Sequence, residues 1–120
     1  MVDVLKICHD ADVRSYLGVL KRHRPDPFLL THALDGWSMA LDFAVPHERR
    51  DRVWRTTERL TERVLAAGGK FYFAKDAVLR PAQILQAYGA ETLDRFAAIK
   101  RRLDPDSVLT SDLARRVGVG

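Results

Sequence analysis

The amino-acid sequence predicts an α+β fold, an antiparallel sheet covered by helices, in a single domain spanning residues 1–120. Residues 36–45 alternate large apolar side chains with small or polar ones, which is typical of a half-buried strand. Residues 46–67 instead repeat apolar side chains at helical spacing. Five prolines lie between the periodic segments, and no repeat or low-complexity linker interrupts them. A chain of 120 residues therefore fits one typical domain.

The first part of the chain supplies a helix and the predicted sheet. Residues 2–8 favour a short helix, and residues 15–22 have the mixed apolar and β-branched content of a strand. In the next strand, residues 36–45, a period of two separates two faces. The expected core face carries Trp37, Met39, Leu41 and Phe43. The other face carries Ser38, Ala40 and Asp42, which are small and polar enough to line a cavity.

The second part of the chain is predicted to be mostly helical. Residues 46–67 form the most regular helix, which ends at two glycines. The aromatic run at residues 70–75 predicts a strand that returns to the sheet. Helices are expected at residues 81–88 and 91–103, with a last short helix capped by Thr110 or Ser111.

Composition excludes several classes of protein. No apolar stretch is long enough for a membrane span, and the N-terminus lacks the features of a signal peptide, so a cytoplasmic protein is expected. Cys8 is the only cysteine and is expected to be a small buried side chain. The net charge of +4 is compatible with an anionic ligand, nucleic acid or an acidic partner domain. Because acidic residues interleave with the basic clusters, we expect solvated helix faces or interdomain contacts and no nucleic-acid binding.

Two side chains in the predicted strand at residues 70–75 are candidates for chemistry. Lys75 ends an apolar strand, where a partly desolvated cation could stabilise negative charge on a cofactor or substrate. The alternative is an edge lysine paired with Asp76. Tyr72 could act in catalysis, although such a phenol is more often a core residue with a bonded hydroxyl. The four histidines are scattered, so no metal site is expected. The sequence also lacks a glycine-rich nucleotide fingerprint and a nucleophile elbow.

Four segments together resemble the C-terminal end of FAD-linked oxidases of the vanillyl-alcohol-oxidase type. They occur in the order and approximate spacing seen in that family, and they are residues 15–22, 36–43, 68–76 and 104–116. The resemblance implies a C-terminal cap domain whose sheet lies over the flavin ring and forms a sugar pocket. An N-terminal domain holds FAD in such proteins. The chain is thus expected to be the substrate-side part of an FAD-linked oxidase, without its flavin-binding domain.

The resemblance also implies roles for individual residues. Lys75 matches the active-site lysine beside flavin and substrate, which makes it a candidate for both catalysis and cofactor binding. Tyr72 matches a tyrosine that lines the pocket, and Trp37 matches a tryptophan of the preceding strand. Ser38 and Ala40 depart from the family pattern, which has an asparagine and a cysteine there, so Ser38 bears on the identity of the substrate.

The expected function is the oxidation of a sugar-like alcohol by hydride transfer to flavin. This activity requires a flavin-binding domain or subunit as a partner, and no FAD is expected in the isolated chain. The alternative is a non-catalytic binding or oligomerisation module that reuses the fold. Without its partner domain the sheet should expose apolar surface around Phe71, Phe73 and Trp37. A homodimer is expected to cover that surface.

Overall fold

The computed structural model describes residues 1–119, which form one antiparallel hairpin and five α-helices. In chain order the elements are α1 (Val2–Asp10), β1 (Ser15–His23), β2 (Gly36–Phe43), α2 (Arg50–Ala66), α3 (Pro81–Tyr88), α4 (Ala90–Leu103) and α5 (Asp112–Val117). Short 3-10 turns precede α2 at His47–Arg49 and occur at Phe73–Lys75. The α+β class, both strands of the hairpin and all five helices are confirmed. Within residues 1–119, no helix combines the length and apolar content needed to cross a membrane.

The hairpin pairs β1 with β2 in a register that places Lys21 opposite Ser38 and His23 opposite Gly36. An irregularity interrupts the pairing between Ser15 and Leu17. No residue of β2 is buried, and Trp37 is 60% exposed. The prediction that one face of this strand belongs to the core is therefore wrong. The apolar side chains do alternate along β2, but the core of the protein lies among the helices.

The prediction of a strand at residues 70–75 is also wrong. The expected return of the chain to the sheet after α2 is therefore not observed. Phe73–Lys75 forms a 3-10 turn. The hydroxyl of Tyr88 donates to the carbonyl of Phe71 at 2.8 Å and accepts from its N–H at 3.3 Å. One side chain thus satisfies the backbone groups that a neighbouring strand would have paired. Burial raises the pKa of Tyr88, which favours the protonated hydroxyl that donates this bond.

The core is built by the second half of the chain. Leu79, Ile84, Tyr88 and Val117 are buried together, and Phe71, Phe73, Leu93 and Leu113 pack against them. The aromatic run at residues 70–75 therefore contributes to the core, because Phe71 and Phe73 pack against the buried residues of α3. Phe71 and Phe73 do not form the exposed apolar surface that the sequence predicted, whereas Trp37 is exposed as expected.

A second region of packing joins α1 to α2. Cys8 and Val53 are the buried apolar residues of these two helices. Cys8 is thus the small buried side chain that the sequence predicted, and burial raises the pKa of its thiol. Thr56 and Thr61 are also buried, and their hydroxyls donate to carbonyls one turn earlier in the helix. Such back-bonding lets a polar side chain lie in the apolar stripe of a helix.

A buried ion pair attaches α5 to the segment before α3. The carboxylate of Asp76 accepts hydrogen bonds from the N–H groups of Val78 at 3.0 Å and Leu79 at 3.1 Å. It also accepts one from Arg116 at 2.9 Å, and Arg116 donates to the carbonyls of Leu79 and Asp76. The Asp76 side chain is only 6% exposed. A charge this deeply buried is tolerated because every bond on it is charge-assisted.

A second buried carboxylate shapes the turn between α4 and α5. Asp104 accepts bonds from Lys100, from the N–H of Val108 at 2.8 Å and from the N–H of Leu109 at 3.0 Å. The bond from Lys100 and the two backbone N–H groups hold the pKa of Asp104 below its usual value. After this turn, Ser111 caps α5 by accepting the N–H of Ala114 at 3.1 Å, which confirms the predicted cap.

Replacing Asp76 with alanine should destabilise the protein strongly. The change leaves two backbone N–H groups and the Arg116 guanidinium without their acceptor, which should cost about 3 kcal/mol in the free energy of unfolding. Asp106→Ala is a matched control, because Asp106 is exposed and makes no side-chain bond within residues 1–119. Urea unfolding measures both variants. Equal stability of the two would contradict the role given to Asp76.

Candidate functional site

One side of the hairpin carries Ser38 and the residues through which Lys75 and Tyr72 contact the sheet. Successive side chains of a strand point to opposite sides, so Ser38, Ala40 and Asp42 share one side of β2. The register places Lys21, Val19 and Leu17 of β1 opposite them, in that order. We call this side of the hairpin the polar face. Ser38 and Asp42 are separated along it by about 13 Å, the rise of four strand residues.

Lys75 contacts the polar face through an ion pair. Its Nζ lies 3.2 Å from each carboxylate oxygen of Asp42. The lysine side chain is 48% exposed and that of Asp42 is 30% exposed. The alternative pairing of Lys75 with Asp76 is wrong, because Asp76 is bonded to Arg116. The ammonium group is therefore oriented by a carboxylate and still accessible to a further anion.

Three rings and a hydroxyl form a connected group at the other end of the polar face. The Nε2 of His23 lies 2.8 Å from the Oγ of Ser38. The His23 ring packs edge-on against His32 with centroids 4.9 Å apart, and His32 lies 4.8 Å from the ring of Tyr72. Tyr72 is 54% exposed. It is therefore a surface phenol near the polar face and not the core residue that was the alternative.

The structure brings three of the four candidate residues to the polar face. Ser38 belongs to it directly, Lys75 reaches it through Asp42, and Tyr72 reaches it through the two histidines. Trp37 lies on the opposite side of β2, paired in register with Arg22. On that side Trp37 and Leu20 are both more than half exposed. We call the side that carries Leu20, Trp37, Met39 and Leu41 the apolar face.

Sequence reasoning missed three residues of this site. Asp42 was assigned to the small and polar side of its strand, but nothing in the sequence indicated that Lys75 would contact it. His23 could have been found by extending the period of two in β1 to its last residue. His32 lies in the connection between the strands, which has no periodicity, so no sequence signal places it here.

The polar face combines a cation, a carboxylate, a hydroxyl, a phenol and two imidazoles. It can bind hydroxyl groups by hydrogen bonds, present positive charge to an anion at Lys75, and accept a proton at Asp42 or an imidazole. Burial and the nearby His23 lower the pKa of His32, so its ring favours the neutral form. Within residues 1–119, no three acidic, histidine or cysteine side chains are placed to hold a metal ion.

Comparisons with known proteins relate the chain to an oxidase. It is 35% identical over 104 residues to decaprenylphosphoryl-beta-D-ribose oxidase of Mycolicibacterium smegmatis, a match that covers 86% of this chain and 21% of the oxidase. It is 36% identical over 103 residues to an uncharacterized protein from the mprA 5' region of Streptomyces coelicolor, covering 85% of the chain and 27% of that protein. The chain thus spans about a quarter of the length of these relatives. No protein-family model matches the sequence.

The polar face fits one requirement of a flavin site. A reduced flavin ring carries negative charge, and the accessible ammonium of Lys75 is the kind of group that stabilises it. Hydrogen-bonding groups at Ser38 and Tyr72 suit the hydroxyls of a substrate on the same side. Gly68 and Gly69 follow α2 and do not open a helix, so they do not form a loop that cradles phosphates. The residues present therefore fit contact with the ring and substrate, not with the diphosphate of FAD.

Stability should depend on pH through His32. Because its pKa in the folded state is below the usual value of 6.5, the neutral ring stabilises the fold above that pH. This contribution is lost as the pH falls through the lower pKa of the folded state. Between pH 7.5 and 5.5 the free energy of unfolding should fall more for the native chain than for His32→Asn. The exposed His47 supplies the control, and His47→Asn should behave like the native chain. Identical pH profiles for all three would exclude this role.

Proposed function

We propose that this chain is the substrate-side part of an FAD-linked oxidoreductase that oxidises a sugar-like alcohol by hydride transfer to flavin. The observation that carries the proposal is the placement of Lys75 on the polar face, oriented by Asp42 and accessible to an anion. Partial identity to decaprenylphosphoryl-beta-D-ribose oxidase supports it, because the name of that protein describes the oxidation of a sugar. The proposal also rests on the resemblance of four segments to the C-terminal end of FAD-linked oxidases.

Lys75 has an electrostatic role in this proposal. When bound, FAD would supply the acceptor for the hydride that leaves the alcohol carbon with its two electrons. Lys75 stabilises the negative charge that the transfer produces beside it. Asp42 keeps the ammonium in place through two contacts of 3.2 Å, and this orientation exists before any ligand binds. Such preorganisation is what makes a charged group effective in catalysis.

The remaining residues of the polar face bind the substrate and accept its proton. Conversion of an alcohol to a carbonyl breaks a C–H and an O–H bond, so a proton must leave the hydroxyl as the hydride leaves the carbon. The Asp42 carboxylate beside Lys75 is an acceptor for that proton. Ser38, held by His23 at 2.8 Å, and Tyr72 donate hydrogen bonds to other hydroxyls of the sugar.

The flavin must be held by a second domain or subunit. The apolar face is the surface on which we place a protein partner, because Leu20 and Trp37 are 51% and 60% exposed there. Trp37 then contributes through this contact, on the side of the sheet away from Lys75. In the absence of a partner, a second copy of the chain covers the apolar face as a homodimer.

Lys75 can be tested in a chimera. This chain replaces the matching 104-residue segment of the M. smegmatis oxidase, and flavin reduction by its substrate is followed without oxygen. Lys75→Met should slow reduction about a hundredfold, as loss of one preorganised electrostatic group does. Lys6→Met on α1 is the control and should reduce flavin at the native rate. A chimera that binds FAD and stays oxidised would contradict the proposed function, and a Lys75→Met chimera of native rate would remove Lys75 from it.

The apolar face can be tested in the isolated chain. Sedimentation over a wide concentration range should show a dimer, and Trp37→Glu should shift it to monomer, because a buried unpaired charge is costly. Phe28→Glu is the control, since Phe28 is 74% exposed in the connection between the strands. The purified chain should be colourless. A dimer that survives Trp37→Glu would show that another surface carries the association.

A further inference from the structure

Three arginines surround one carboxylate where the chain enters and leaves the hairpin. The carboxylate of Asp12 is bonded by Arg49, and it lies 3.5 Å from Nη1 of Arg52 and 3.8 Å from Nε of Arg14. Arg49 also donates to the backbone carbonyl of Asp12 at 3.2 Å. We call these four residues the arginine group. Nothing in the proposed oxidation uses it.

The arginine group carries an excess of positive charge. Three guanidinium groups face the single carboxylate of Asp12, which leaves an excess of two positive charges within the group. The other acidic residues close in sequence are Asp10, Glu48 and Asp51. They are exposed, and none forms an ion pair with these arginines in the described part of the chain. Most other ion pairs of the chain join one cation to one anion. The excess of positive charge therefore distinguishes the arginine group from those ion pairs.

A cavity of about 270 Å³ lies beside the arginine group. Its floor is apolar and is made by Val13, Ala44, Pro46 and Val53. Val13 and Val53 are 5% and 4% exposed, so the floor is made in part by buried side chains. Arg14 and Arg49 stand at its polar side with Asp12. The cavity can therefore hold an anion that is attached to a small organic group.

We infer that this cavity binds the phosphate group of a phosphate ester. A phosphate monoester carries a charge of about −1.5 to −2 at pH 7, which matches the excess of two positive charges. Its three terminal oxygens can accept from several guanidinium groups at once, which a single carboxylate cannot do equally well. The apolar floor suits the organic part of the ester. This inference is independent of the flavin proposal, because it uses none of the residues of the polar face.

Asp12 orients the arginines but also competes with the ligand. Its backbone has a φ of 50°, in the left-handed region that aspartate and asparagine adopt more readily than other side chains. Asp12→Asn therefore preserves the turn while removing the competing negative charge. Because asparagine also tolerates this backbone conformation, Asp12→Asn is a sharper test than removal of the whole side chain.

The experiment is a titration with inorganic phosphate at pH 7.5, followed by NMR chemical shifts at an ionic strength held constant with chloride. Arg49→Gln and Arg14→Gln should each weaken phosphate binding about tenfold, the loss expected for one charge-assisted contact. Asp12→Asn should tighten it several-fold. Arg95→Gln is the control, because Arg95 is exposed on α4 and lies outside the cavity.

Two outcomes would overturn the inference. One is the absence of phosphate binding above that of chloride, and the other is equal binding by the native chain and Arg14→Gln. Arg14 is 90% exposed, so its replacement does not disturb folding and the second outcome remains decisive if Arg49→Gln unfolds. Glycerol phosphate and vesicles containing phosphatidic acid then separate the two sources of the phosphate group. Arginine-dependent binding of either supports the site, and the preferred one identifies a free ester or a lipid headgroup.

Discussion

The contact between Asp76 and Arg116 determines the path of the chain after α2. It holds the segment before α3 against α5, and the two N–H groups bound by Asp76 lead Leu79 into the core. Lys75 immediately precedes this buried carboxylate and lies at the end of the 3-10 turn. The position from which Lys75 reaches Asp42 is therefore set by the Asp76–Arg116 ion pair, which adjoins the core residue Leu79. Stability and the candidate site depend on the same short segment.

This anchor also explains two of the four segments that resemble FAD-linked oxidases. Asp76 belongs to the segment at residues 68–76, and Arg116 ends the segment at residues 104–116. Asp104, which begins the latter, holds the turn between α4 and α5 by accepting two backbone N–H groups. Much of the resemblance therefore lies in residues that build the fold. Lys75 and Tyr72 are the positions at which the resemblance implies a role in chemistry, whereas Ser38 departs from the family pattern.

The charges of the chain are used in different ways at the two candidate sites. On the polar face one cation is balanced by one carboxylate, which holds it in place. In the arginine group the balance is incomplete, which favours binding of an anion over structural pairing. Both sites lie at the hairpin, whereas the buried core lies among α3, α5 and the aromatic run before them. The larger buried cluster thus lies outside the hairpin, although the segment that carries Tyr72 and Lys75 contacts both.

The sequence by itself determined the elements whose signals are local. Alternation identified β2, and apolar and β-branched content identified β1. Helical spacing identified α2 and α4, and Ser111 marked the start of α5, because each of these signals lies within a few residues. The run at residues 70–75 has strand propensity, but its conformation was decided by tertiary structure. The Tyr88 hydroxyl and α3 contact this segment in place of a neighbouring strand. The partner of Lys75 was decided in the same way. Asp76 is adjacent in sequence but bonded to Arg116, which left Asp42, 33 residues away, to receive the ammonium.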